Sequence, residues 1–305
     1  VYAGSAPDAD NAVRGGYSEY GHDVTKNILE VTHLPSAGLG AAYGGEVAGL
    51  AGSLFGNMLD ITGTDDHTSP TPVTRTLTNA YGGAITNANN AGAVGSSEEH
   101  RGNRVAVSGG QVTNVYGGYT VGAGNVQGNA VYVAGGTVTN VYGGAVDKVD
   151  AAATKNKVQV RGGKVTGEIA GARAVYDTTP TATHTLSNGN NVMLGAEEPT
   201  SALDMNVAGA SVYGTDYRDV TPTVTGTPEL TFDRASDQIK GNELTVTTTG
   251  VSAKKVRNFD SYTFVLGDNF ENKDTMLTLT KAGGFGTVSN AASNPAVKVD
   301  WGKVK

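Results

Sequence analysis

Two acids raise the first chemical question. Glu30 and Asp60 hold equivalent places in two short alternating segments, Asn27-Ile-Leu-Glu-Val31 and Asn57-Met-Leu-Asp-Ile61. If these segments lie side by side as strands, their carboxylates stand about 5 Å apart. That is the separation at which a retaining glycosidase holds its two acids, and one that also suits a Ca²⁺ ion. Carboxylate and imidazole cluster at two other places, Asp65-Asp66-His67 and Glu98-Glu99-His100. Glu30, Asp60, Asp65, Asp66 and His67 are therefore the candidate metal ligands. The Glu30 position continues in later copies as Ala106, Tyr132 and Gln159, with no third acid and no neighbouring Arg expected. Five His residues, His22, His33, His67, His100 and His184, form no HExxH or other two-His metal spacing. Nucleophile elbow, P-loop, dinucleotide fingerprint and the calcium nonapeptide GGxGxD are all missing from the sequence. The expectation is a chain with no catalytic residue and no cofactor, not an enzyme.

The elements that would position these acids repeat. One copy reads Asn103-Arg-Val-Ala-Val-Ser-Gly-Gly110-Gln-Val-Thr-Asn114-Val-Tyr116-Gly-Gly118, and the next reads Asn129-Ala-Val-Tyr-Val-Ala-Gly-Gly136-Thr-Val-Thr-Asn140-Val-Tyr142-Gly-Gly144. The spacing is 26 residues. A third copy starts at Asn156, and looser ones at Asn27, Asn57, Asn190 and Asn242. Alternation of period two makes both segments of each copy strands. On the first strand Leu29 and Val31, Leu59 and Ile61, Val105 and Val107, Val131 and Val133, and Val158 and Val160 face a core. On the second strand the same alternation predicts Val112, Asn114 and Tyr116 inside, with Val115, Val141 and Glu168 aligned outside.

A unit of this size cannot bury one apolar face alone, whereas stacked units bury a continuous one. The pattern predicts an all-β solenoid, a parallel β-helix of about seven coils over residues 1–219. Asn27, Asn57, Asn103, Asn129, Asn156 and Asn190 should form an amide ladder. The pairs Gly44-Gly45, Gly82-Gly83, Gly117-Gly118 and Gly143-Gly144 should turn corners. Tyr2, Tyr43, Tyr81, Tyr116, Tyr142 and Tyr213 make a column that is either packed core or a strip for stacking sugars. Residues 220–305 lose the spacing and are expected to form a β-rich C-terminal cap.

Of 305 residues, 44 are Gly and none is Cys, which excludes disulfide scaffolds, thiolate metal sites and cysteine nucleophiles. With 22 basic against 29 acidic residues and no basic cluster, nucleic acid is not an expected partner. The most apolar stretch, Val47 to Phe55, is too short and too broken by Gly to span a bilayer, so no transmembrane segment is expected. The opening Val1-Tyr2-Ala3-Gly4, with neither Met nor a basic region, reads as a processed form.

The repeated GGxVTNVYGG and NxVxVxGG units over residues 27 to 215 resemble the passenger domains of autotransporters, surface proteins secreted by the type V route. The segments Val256 to Leu266 and Met276 to Thr280 resemble the strand-rich end of such passengers. The resemblance implies a right-handed β-helix, a place outside the bacterial cell or on its surface, and the work of an adhesin or extracellular matrix component. The expected partners are host or neighbouring-cell surface ligands, glycans among them. They would be met by the insertions 84–102, 119–128, 145–155 and 172–189, all of which follow the second strand. The strand-forming segments Val1-Tyr2 and Ala296 to Trp301 suggest head-to-tail self-association, which would make the chain a subunit of an extracellular filament or sheath.

Overall fold

The computed structural model describes residues 11–66, 73–96, 98, 101–149, 151–176, 187–201, 203–219, 241–281 and 296–300. These residues are all β, without a helix. The Asn-x-apolar-x-apolar segments pair in parallel, copy against copy, to form a nine-stranded sheet, sheet 1. It runs from Ile28–Val31 through Met58–Ile61, Arg104–Val107, Ala130–Val133, Lys157–Val160, Asn191–Leu194, Glu243–Val246 and Ser261–Val265 to Ala296–Asp300. Register is kept throughout, so that Leu29, Leu59, Val105, Val131, Val158, Val192, Leu244, Tyr262 and Val297 share one column. The second segments form sheet 2, also parallel, with Leu39–Val47, Thr76–Ile85, Gln111–Thr120, Thr137–Val146, Gly163–Tyr176 and Ser211–Asp219 at its centre. Both sheets run on past the boundary drawn at 219/220. Glu243–Val246, Ser261–Val265 and Ala296–Asp300 extend sheet 1, and Lys255–Arg257 extends sheet 2. The segment Leu230 to Phe232, expected as a strand, lies outside the described residues.

A third, narrower parallel set was not expected. Val24–Thr25 pairs with Leu54–Phe55, Leu54 with Val94, Val94 with Val126, and Val126–Gln127 with Ala153–Thr154. The copies from Asn27 to Asn156 therefore each contribute a third paired segment beside the two expected strands, and part of what the sequence marked as insertion is paired backbone. The missed signal is a small apolar residue three places before Asn: Val24, Leu54, Val126 and Ala153. The insertion before Asn103 hides the fifth member, Val94.

The Asn ladder holds the three sets together. Asn57, Asn103, Asn129, Asn156, Asn190 and Asn242 are fully buried. From Asn57 to Asn190, the backbone N–H and Nδ2 both donate to Oδ1 of the next Asn, at 2.9 and 3.0 Å from Asn103 to Asn129 and at 3.1 and 3.2 Å from Asn129 to Asn156, whereas Nδ2 of Asn242 donates to Thr215 Oγ1 at 3.1 Å. The other Nδ2 proton reaches a carbonyl of the narrow set: Val24 for Asn57, Leu54 for Asn103, Val94 for Asn129 and Val126 for Asn156. Every amide thus spends both donors and fills its oxygen, which is what burial demands. The run ends at Asp260, whose Oδ2 accepts from the Asn242 N–H at 3.1 Å. A left-handed backbone introduces the amide in most copies, at Gly128 (φ 66°) before Asn129 and Lys155 (φ 54°) before Asn156.

The Gly-Gly pairs lie inside the strands of sheet 2 and not at corners. A Cβ on Gly118 would stand 2.5 Å from the Asn129 side chain, and one on Gly117 would stand 3.0 Å from the Ala130 backbone. These glycines let sheet 2 touch the start of sheet 1, which pinches the interior in two. The larger core holds the columns of Leu29 and Val31 with Leu39, Val112, Val115, Val141 and Ile169. The smaller one packs Val47, Ile85 and Val146 against Val24, Leu54, Val94, Val126 and Ala153. The corners between sheets 1 and 2 fall instead to glycines such as Gly110 (φ 79°) and Gly136 (φ 74°).

Strict alternation also failed along sheet 2. Pairing lapses at Thr113 and again at Gly117, so the phase shifts, and Val112 and Val115 both enter the larger core. Tyr116 then points away from that core. Glu168 aligns with Asn140 and not with Val141, because its strand carries one extra residue between Val165 and Glu168.

Two substitutions test this account. Replacing Val131, fully buried in the larger core, with Asp should unfold the centre, since an unpaired buried carboxylate costs several kcal/mol. Asn129→Asp is nearly isosteric but turns a donor into an acceptor that faces Asn156 Oδ1 and the Val94 carbonyl. It should lower stability by about 3 kcal/mol or more. Thermal melts equal to the parent protein would refute the ladder's role.

Candidate functional site: the outer faces and the loop edge

Glu30 and Asp60 are direct register partners on neighbouring strands of sheet 1. Parallel strand spacing sets them about 5 Å apart. Glu30 is exposed and Asp60 half-buried on the outer face. Burial raises the Asp60 carboxyl above its usual range, Arg104 draws it back, and the Glu30 charge pushes it further up. The sequence did not reveal Arg104 as a neighbour, because it sits one strand on, two places before the aligned Ala106. The Arg104 guanidinium lies over the Tyr132 ring at 4.5 Å, with Lys157 Nζ at 5.8 Å. Asp65 and Asp66 pair with Thr74 and Val73 in a small antiparallel two-stranded sheet separate from sheet 1. His67, Glu99, His100 and His184 lie outside the described residues. Among the described residues, no three of His, Cys, Asp or Glu gather closely enough to hold a metal ion.

The Tyr column lies on the face of sheet 2 turned away from the larger core, where Tyr116 and Tyr142, only 6% and 1% exposed, pack with Ala145 and Ala170 into a separate buried cluster. Tyr43, Tyr81, Tyr116 and Tyr142 stack with centroids 4.9, 5.0 and 5.2 Å apart and planes within 10°, 9° and 18°. The stacking runs along the direction in which strands repeat, so each inner ring has both faces covered by its neighbours. A sugar stacks on a ring face, and the inner rings of this column leave none free; the hydroxyls of Tyr116 and Tyr142 are already bonded to Arg173 and Glu168. Burial raises the phenols of Tyr81 and Tyr119 far above their ordinary value. They remain protonated donors, and the Tyr119 hydroxyl donates to Asp147 Oδ2 at 2.5 Å. Tyr2, placed in this column from sequence, lies outside the described residues.

Two ion pairs frame the stack, and sequence reasoning missed both. Arg14 pairs with Glu46, which is buried, and lies over the rings of Tyr17 and Tyr43 at 5.0 and 5.4 Å. Arg173 pairs with Asp147, donates to the Tyr116 hydroxyl at 3.3 Å and lies over Tyr116 and Tyr142 at 5.5 Å each. Glu46, Ala84, Tyr119, Ala145, Arg173 and Asp216 share one column. Charges of both signs at one offset after the Gly-Gly pair were the available signal.

The loops that leave sheet 2 form an ordered ridge. Asn90 is fully buried and donates through Nδ2 to the carbonyls of Gly49 and Ala51 in the preceding copy, at 3.0 and 2.8 Å. Its own carbonyl accepts from the Ala123 N–H of the following copy at 3.1 Å. Asn125 Oδ1 accepts from the Ala152 N–H at 3.1 Å, and Lys148 Nζ donates to the Ala88 carbonyl at 3.3 Å. Leu50, Ala51, Ala88, Asn89, Ala91 and Asn125 are left exposed along this edge.

Two measurements probe these faces. The raised Asp60 carboxyl holds its proton more tightly in the native state. Its stabilising contribution is therefore fully present below the unfolded value and is lost as pH rises through the folded one. Asp60→Asn should melt higher than the parent at pH 7, by a few tenths of a kcal/mol, first because a neutral amide escapes the burial penalty and second because the Glu30 repulsion is relieved. The difference should vanish toward about pH 4. A lower melt at pH 7 would show that the attraction of Arg104 outweighs both. On the other face, Tyr116→Phe should cost about 1 kcal/mol for the lost hydroxyl contact, and Tyr116→Ala about 3 kcal/mol or more for the gap in the stack. Set against known proteins, the chain matches no family model, no curated protein and no solved structure.

Proposed function

We propose that the chain is a right-handed parallel β-helix acting outside the bacterial cell or on its surface, as a non-enzymatic recognition scaffold of the adhesin or matrix type. Right-handedness follows the general rule for crossover connections between parallel strands. The observation that carries the reading is the ridge. Loops from successive copies are bonded to one another, so a continuous line of small polar and apolar groups is held rigid before any partner arrives. Preorganisation of this kind lowers the entropy lost on binding. The stacked repeats supply a scaffold on which the loops can differ in length while the sheets keep their register, and binding residues concentrate on loops held by such scaffolds. Resemblance of the GGxVTNVYGG units to autotransporter passengers supports the same location and role. Host or neighbouring-cell surface ligands, glycans among them, are the partners that fit. A glycan would be met by the amide and carbonyl groups of the ridge, because the inner Tyr rings offer no free face.

The experiment is a binding comparison. The parent protein and a variant carrying Leu50→Ser, Asn89→Ala and Ala91→Asp are applied to intact epithelial cells and to an immobilised glycan panel. All three side chains are exposed, so the melting temperature should hold while adhesion falls at least ten-fold, the loss of about 1.4 kcal/mol. Undiminished adhesion by a folded variant would sink the ridge reading. Release of reducing sugar from any panel member, abolished by Asp60→Asn, would replace it with an enzymatic one.

A further inference from the structure

The outer face of sheet 1 gathers cations that stand far apart in the sequence. Arg104 and Lys157 are both register partners of Ala130, one on each side of its strand, so two strand spacings, about 10 Å, separate them. Tyr132, two residues on from Ala130 and on the same face, carries the Arg104 guanidinium and Lys157 Nζ over its ring, one from each neighbouring strand. The Tyr132 hydroxyl is bonded to no described residue. Arg104 is exposed, and so are Lys155 and Arg161, which flank Lys157 in its own copy. Among the described residues no carboxylate pairs with Arg104, Lys155 or Arg161. Lys157 has only Glu197, at 3.8 Å and itself 75% exposed, and so open a pair holds its cation weakly. In a chain of net charge −7, four cations within three neighbouring copies reverse the local sign. Acids bound them along the stack, with Glu30 and Asp60 on the two strands before Arg104 and Glu243 two strands after Lys157.

We infer that this face binds an acidic polysaccharide laid along the stack, one that carries an anionic group on alternate sugars. Arg104 and Lys157 each take one anionic group, and a disaccharide repeat sets successive charges at about the spacing of these two cations. The Tyr132 hydroxyl between them meets the bridging sugar, for which the small side chains of Ala106 and Ala130 leave room beside the ring. The ring also holds both cations in place before the ligand arrives, which lowers the entropy lost on binding. Beyond the cations, Asp60 and Glu243 accept hydrogen bonds from uncharged hydroxyls. A polymer of sparse charge therefore fits where a dense polyanion meets acids at both ends. Single-stranded nucleic acid binds by stacking its bases on open rings, and both faces of Tyr132 lie beneath cations. An extended peptide adds to a free sheet edge, whereas these strands are paired on both sides. Glu197 competes with the ligand for Lys157. The site is on sheet 1, apart from the ridge that leaves sheet 2, and does not rest on what the ridge binds.

Hyaluronate, with one carboxylate on each disaccharide, is the probe. The full chain titrated with hyaluronate oligosaccharides at low salt should bind them, with an affinity that falls as salt rises. Dextran, a neutral polymer, should not bind. Arg104→Gln combined with Lys157→Gln should weaken hyaluronate binding by about ten-fold or more. Lys254→Gln removes an exposed lysine beside the last described strand of sheet 2, Lys255–Arg257, and should leave the affinity unchanged. Glu197→Gln frees Lys157 and should tighten binding about two-fold, a gain that a misfolded variant cannot mimic. No binding of hyaluronate, equal binding of dextran, tighter binding of single-stranded DNA than of hyaluronate, an equal loss in the Lys254→Gln protein, or weaker binding by Glu197→Gln would each overturn the inference. The ridge variant keeps Arg104 and Lys157, so the two readings fail separately: the ridge is read from adhesion to cells and neutral glycans, and this face from hyaluronate binding by the cation variants.

Discussion

The fold depends on a buried amide that must be satisfied from three directions. Each Asn from Asn57 to Asn190 gives one Nδ2 proton to the next copy and the other to the narrow third set, while its oxygen takes two bonds from the copy before. A polar group this deep is costly unless all of its partners are present, so it fixes register, spacing and the approach of sheet 2 at once. The second glycine of each pair exists because the amide occupies the space where a side chain would be. Apolar columns supply most of the burial, but hydrophobic attraction is non-directional and would tolerate a slip. Bonds within the ladder do not.

Stacking also decides what the surface can offer. When like residues fall above like at strand spacing, aromatic rings cover one another and charges meet their counterparts in the next copy. Arg14 with Glu46 and Arg173 with Asp147 are products of this geometry, partly withdrawn from water and braced by the Tyr rings beside them. Truncating one member of such a pair would strand the other, a larger loss than an exposed pair would cause. Where two acids fall in the same column, as at Glu30 and Asp60, the same geometry imposes repulsion. Repetition is thus neutral with respect to charge, and the sequence must choose each column.

Stability in a stack of this kind is close to a sum over neighbours. Each described copy in the middle of the stack touches one on either side. The Asn run ends on a carboxylate, Asp260, which can accept from the last amide and has no further proton to pass on.

The sequence alone determined the repeat, the strands of sheet 1, their inward columns and the amide ladder, because each depends on local alternation and on a spacing of 26 residues that can be counted. It also placed Glu30 beside Asp60, since register follows from the same count. It did not show the third set, because strands of two residues are too short to display a period and the insertion at 95–102 broke the spacing before Asn103. It misplaced Val115, Tyr116 and Glu168, because a bend at Thr113 and an extra residue before Glu168 shift the phase of alternation without changing composition. The glycine pairs read as corners when they mark close approach, a distinction that only a neighbour 2.5 Å away can make. Which charges meet and which rings lose their faces were settled by the tertiary structure. These are contacts between residues tens of positions apart, and local pattern carries no record of what lies across the interior.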